Sequence, residues 1–406
     1  MAGLEDAVRL ILRQGDNVGR EVIRKRAEQM ALDRADRVRP TAERLMPESV
    51  DAYQRTTDMV PQVPFRNRQP DLSAGGNLPA GGRMAPLIEA QDDIAAELAR
   101  RMEPGVGTQD QYFYHTGPIW EMAANAGVPP DVFMNRFSAY FGGTSPRTQT
   151  EPNMLNASML QYRAAEGLPM DKPVLGLAGP NPKTGEPPLN DVGYAMIAGT
   201  HPGLAQRLEA DPFGNFATNP KPSSFALNTS GNLQGGTMDT HAIRGAVLSF
   251  DAAYPGQIPR QWFKTEDAFN RYRDGGVSQV DLYRDINDGL KSALSGGTKS
   301  QVEYGPMADI YENAADRMDL SPAEAQALGW FGIGGETGLR SESRSIVGLM
   351  NDRINVTAQL LGLPQETVAA LYAQGRIPLA GVGGMGLLSQ IPSGPQSQAQ
   401  SEAGGT

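Results

Sequence analysis

From Pro86 to Tyr140 the apolar residues never alternate as they would along a strand. Leu87, Ile88, Ile94, Leu98, Ile119, Met122, Val132, Phe133, Phe137 and Tyr140 supply dense apolar content at helical rather than two-residue spacing. The pattern predicts a mainly α fold. Further helices are predicted at Val192 to Ile197, Pro202 to Glu209, 306–318 and 321–330, with two more over 345–375. Ser321-Pro322 reads as an N-cap followed by proline at the first helical position. Residues 4 to about 45 read as a charged helix with a thin apolar stripe (Leu4, Val8, Leu12, Val18, Val22, Ile23), which suits an interaction helix or a packing arm.

Composition divides the chain. The expected organisation is an N-terminal helical arm (1–60), a Pro/Gly-rich linker (61–84) and a helical core (85–345) with loop insertions at 168–190 and 251–300. A C-terminal helical hairpin (346–380) and a low-complexity tail (381–406), expected to be disordered, complete it.

The chain has no cysteine, which excludes disulfides, thiolate metal sites and thiol nucleophiles. Only His115, His201 and His241 offer imidazole. The net charge of −10 argues against coating nucleic acid by bulk electrostatics but leaves room for a local basic groove. The first residues, MAGLEDAVRLIL, lack the apolar centre of a signal peptide, and no run of about eighteen apolar residues occurs. A protein neither secreted nor membrane-spanning is expected. GPNPKTG at 179–185 is no phosphate loop, and neither G-x-S-x-G nor H-E-x-x-H appears. Asp239-Thr240-His241 lacks an obvious third metal ligand, so no metal and no cofactor are expected.

The most informative stretch is 219–245, NPKPSSFALNTSGNLQGGTMDTHAIRG. Asn219 can cap a helix that has Pro220 in its first turn and carries Phe225 and Leu227 to about Gly231. After the glycine-rich GNLQGG, Asp239 or Thr240 caps a second helix through His241, Ile243, Val247 and Leu248. On local grounds alone Asp239 is a cap and Lys221 a solvated first-turn cation.

The same stretch resembles the catalytic segment of the helix-hairpin-helix DNA glycosylases of the endonuclease III and adenine glycosylase type. Lys221, Leu227-Asn228-Thr229 and Met238-Asp239-Thr240-His241 with Arg244 fall in register, with Lys221 and Asp239 eighteen residues apart. Upstream, FSAYFGGTSPRTQTEPNMLNA (137–157) is similar to that family's second helix and polar wedge loop, through Ser145, Thr148, Asn153 and Ala157. Downstream, SPAEAQALGWFGIGG (321–335) resembles a closing helix of phage-encoded relatives of the fold. The resemblance implies a helix-hairpin-helix glycosylase-like core that binds DNA and excises a damaged or mismatched base. It implies Asp239 and Lys221 as the catalytic pair. Ser145, Thr148, Gln149, Asn219, His241 and Arg244 would contact DNA or fix the elements that do. It also implies a phage setting, in the host cytoplasm or the virion.

The long low-complexity tail, the proline-rich linker, the acidic balance and the hairpin position point to a second class, a non-catalytic phage particle protein whose partners are other particle proteins. The hairpin position, Asn215-Phe216-Ala217-Thr218-Asn219, has no glycine to admit a DNA phosphate. Residues 201–250 carry three basic and three acidic residues, so this segment is neither repelled from DNA nor drawn to it by its own charge. A weaker resemblance, at 357–378, is to the helix-turn-helix of excisionase-type proteins, but it has no basic residue before Arg376.

Overall fold

The computed structural model describes residues 45–63, 85–145, 150–168, 170, 201–211, 220–275, 277–282, 285–286, 298–333 and 345–379. Among these residues the chain is mainly helical and contains no strand. The expected helix over 4–45, the helix at Val192 to Ile197, most of the 61–84 and 168–190 stretches and the 381–406 tail lie outside the described residues.

Two apolar cores organise the rest. The first gathers α1 (Val50–Thr57), α4 (Gly117–Asn125), α5 (Pro130–Thr144), α6 (Thr150–Ala165), α7 (His201–Ala210), α8 (Pro220–Thr229), α13 (Ile346–Leu361) and α14 (Gln365–Ala373). The second gathers α2 (Ala85–Glu89), α3 (Gln91–Met102), α9 (Thr240–Ala253), α10 (Glu266–Arg273) and α11 (Thr298–Arg317). Between them runs α12 (Pro322–Leu328), which gives Ala323 and Ala327 to the first core and Ala325 and Leu328 to the second.

Helix α5 is the axis of the first core. Phe133, Phe137 and Phe141 repeat every four residues, so their rings form one column, stacked at 6.1 Å and 5.6 Å between centroids. Phe141 then stacks on Phe225 of α8 at 5.2 Å. Beyond the column, Gly142 and Gly143 bring two helices to backbone contact. A Cβ on Gly142 would lie 2.8 Å from the Pro222 carbonyl oxygen of α8, and one on Gly143 only 2.5 Å from Ala205 Cα of α7. Asn153 ties α6 to the end of α5, donating to the Phe141 carbonyl at 2.8 Å and accepting from Thr144 Oγ1.

In the second core α3 lies against both α9 and α11 through Ile94, Leu98 and Met102. The 251–300 stretch adds to this core where it is described, burying Ile258, Trp262, Phe263 and Ala268. The capping box at Ser321 is complete: Glu324 N–H donates to Ser321 Oγ, and Ser321 N–H donates to Glu324 Oε2 at 2.9 Å.

The C-terminal hairpin turns at Gly362, which has a φ of +66°. Its second helix is spent on packing, with Val368, Ala369, Tyr372 and Ala373 buried and the Tyr372 hydroxyl donating to Gln161 Oε1 at 2.5 Å. Residues 45–63 are also bound into the body. Asn351 accepts from Met46 N–H at 3.1 Å and donates to the Met46 carbonyl at 2.9 Å. No helix among the described residues is long and apolar enough to cross a membrane.

Candidate functional site

The site is built on the turn between α8 and α9. Helix α8 opens at Pro220, and Lys221 in its first turn is half-buried. Its far end is a polar hub. Asn228 is fully buried, and its amide donates to the carbonyls of Asn232 at 2.9 Å and Gly235 at 2.6 Å. Its Oδ1 accepts from Thr237 Oγ1 at 2.7 Å. One side chain therefore folds the glycine-rich turn back on itself. Gly231 sits at a φ of +91°, where a Cβ would also press on Thr116 Oγ1 at 2.8 Å, so no other residue fits the turn comfortably.

The outer side of this turn is held from far along the chain. The Gln62 amide donates to the Gly231 carbonyl and accepts from Leu233 N–H, both at 2.9 Å, while Asn232 Nδ2 donates to the Val63 carbonyl at 2.8 Å. The inner side is held by Tyr304 of α11. Its hydroxyl accepts from Met238 N–H at 2.9 Å and donates to Ser224 Oγ at 2.8 Å, with the Gly236 carbonyl at 3.3 Å.

The chain then enters α9 through Asp239. Its Oδ1 accepts the N–H groups of His241 at 2.8 Å and Ala242 at 3.0 Å, which makes Asp239 rather than Thr240 the N-cap. Both bonds end on Oδ1, so Oδ2 takes no part in the cap. Asp239 is buried to 9% exposure. Two buried phenols flank it. Tyr114 donates to Gln326 Oε1 at 2.9 Å, and burial pushes its hydroxyl up, with the Asp239 charge adding to the rise and a bond to Thr237 opposing it. Burial likewise pushes the Tyr304 hydroxyl up, so both phenols stay protonated beside the carboxylate.

His241 reports what else gathers here. Burial holds its pKa below the ordinary imidazole value; the Asp239 charge works against this, and the Arg244 and Lys221 charges work with it. Asp239, His241 and Arg244 lie on the first turns of α9, and Tyr304 ties that turn to α8, which bears Lys221. The Trp330 ring joins them, 6.1 Å from the His241 ring.

Not every expected site residue belongs to this cluster. Ser145 closes α5, its Oγ donating to the Gly142 carbonyl at 2.8 Å. Thr148, Gln149 and Asn219 lie outside the described residues. Sequence reasoning missed Tyr114, Tyr304 and Trp330 because nothing local marks an aromatic residue as a neighbour of Asp239. Asn228 did carry a signal, the Leu-Asn-Thr step. No group of three or more metal-ligating side chains occurs among the described residues. No family model, no curated protein and no solved structure matches the chain.

Proposed function

We propose that the chain is a DNA-binding protein on a helix-hairpin-helix glycosylase-like scaffold that excises a damaged or mismatched base. The carrying observation is that Asp239, held as the N-cap of α9, stands at a turn that the Tyr304 hydroxyl ties to α8, the helix bearing Lys221, with His241 and Arg244 on the first turns of α9.

In this reading the target nucleotide leaves the stack, at a cost on the order of a few kcal/mol. The C1′–N bond breaks and the base departs with the electron pair. Asp239 stabilises the positive character left on C1′, its capped Oδ1 holding the carboxylate in place. Either water, giving its proton to the departing base, or the uncharged Lys221 amine then bonds to C1′; on the amine route the C1′–O4′ bond breaks and O4′ takes the proton the nitrogen loses, leaving a Schiff base that allows a lyase step. His241 and Arg244 fix the helix and a phosphate. The resemblance would give DNA contact to Ser145, Thr148, Gln149 and Asn219.

The test uses duplexes carrying uracil, thymine glycol, oxidised guanine or an abasic site, with borohydride trapping. Base release should vanish in Asp239→Asn, a substitution that keeps a good N-cap and hence the helix. The trapped adduct should vanish in Lys221→Gln. Absence of base release, strand cleavage and adduct from all four substrates rejects the enzyme.

A second reading has its own observation. The Oδ1 of Asp239 accepts two backbone N–H groups as a cap, and residues 201–250 carry no excess of basic residues of the kind a DNA-facing surface shows. A non-catalytic phage particle protein on the same scaffold would need nothing more. Recovery of the chain in stoichiometric amount from purified particles supports that reading.

A further inference from the structure

The cluster around Asp239 has charge, but a ligand with a planar ring also needs an aromatic surface. Trp330 supplies one. It lies in the single π-helical turn Gly329–Ile333 that continues α12, a backbone form that concentrates at functional sites. Phe331 stacks on its ring at 5.1 Å and 20°, and Phe113 meets it edge-on at 5.2 Å and 79°. Those two phenylalanines are 8% and 1% exposed, so the core is already closed beneath the indole. Trp330 itself is partly buried, packed against the first core but less fully enclosed than Trp120 and Trp262. The core therefore does not need the whole indole, and the ring reaches the charged cluster through His241.

We propose that Trp330 is the stacking surface for one unpaired nucleobase, beside the helix start that carries Asp239, His241 and Arg244. The inference rests on the DNA-binding reading above and adds to it the residue that reads the base. Stacking on an aromatic side chain tolerates any base because every base has a π-face, whereas paired bases within a duplex are shielded from it. A supporting hydrogen-bond code is not required. The fixed neighbours Phe113 and Phe331 hold the indole in one orientation, so little side-chain freedom is lost when a base arrives.

The buried state of the other two tryptophans makes Trp330 its own reporter. The full-length protein is titrated with a short single-stranded oligodeoxynucleotide, with an abasic analogue of the same length, and with the paired duplex, while intrinsic fluorescence is followed. The base-bearing single strand should quench the accessible part of the emission and bind roughly 10-fold more tightly than the abasic analogue. Trp330→Ala should bring its affinity down to that of the analogue, and Trp330→Phe should retain most of it. Circular dichroism checks that both variants are folded. Equal binding of the single strand and its abasic analogue, or binding without quenching in the native protein, overturns the role of Trp330 and leaves DNA binding standing. Failure to bind any of the three probes overturns both.

Discussion

The hydroxyl of Tyr304 accepts the backbone N–H of Met238 at 2.9 Å, one residue before Asp239. The same hydroxyl donates to Ser224, three residues after Lys221. A single phenol on α11 therefore fixes the helix bearing Lys221 relative to the turn bearing Asp239. Tyr304→Phe keeps the ring and strands the Met238 N–H in a buried setting. The expected loss is about 1–3 kcal/mol, read as a lower denaturant midpoint at unchanged slope. An unchanged midpoint would show that the contact contributes no net stability.

Asn228 should be less replaceable still. Asn228→Ala deprives the Asn232 and Gly235 carbonyls and the Thr237 hydroxyl of their partner at once, an expected loss of about 2–4 kcal/mol. Limited proteolysis should then cut within 231–236 several-fold faster than in the native chain. Equal cutting rates would mean that Gln62 and Tyr304 hold the turn without it.

Backbone contact at α5 predicts a contrast between glycines. Gly143→Ala places a methyl 2.5 Å from Ala205 Cα, where only movement of α7 relieves it, and should cost about 1–3 kcal/mol or more. Gly332→Ala meets nothing within 4 Å and should change the thermal midpoint little. Similar midpoints for the two variants would contradict the close packing of α5 on α7.

Glu324 predicts the acid limb of the stability curve. Burial pushes its carboxyl up, but bonds from His115, Gln111 and the Ser321 backbone outweigh this and hold it at about 2. A folded value below the unfolded one stabilises the native state above the ordinary carboxylate range. The contribution, about 3 kcal/mol, is lost as pH falls through the interval from 4.5 to about 2. Glu324→Gln should flatten that part of the curve in pH-jump unfolding. His241 acts at milder pH with the same sign: its lowered value costs stability once pH drops below the ordinary imidazole range.

Short-range features were legible in the sequence. The Ser321 cap needs only its own turn and Glu324, and Asp239 was one of two local choices for the α9 cap. The cluster was partly legible too, because Lys221 and Asp239 lie on consecutive helices joined by one turn. What holds them was not. Tyr304 comes from 66 residues beyond Met238, and Gln62 from 169 residues before Gly231. Those partners are set by how α11 and the 45–63 segment pack, which no local spacing encodes. For the same reason 251–300, rich in Gly and Asp, read as an insertion although Trp262 and Phe263 are buried in the second core.

Helix α12 is seven residues long and has a core on each side. Neither half of the molecule can come apart without exposing a wall of the other, so unfolding should be a single cooperative event rather than two. Amide protons in α12 should accordingly be among the last to exchange with solvent, released only when the whole body opens.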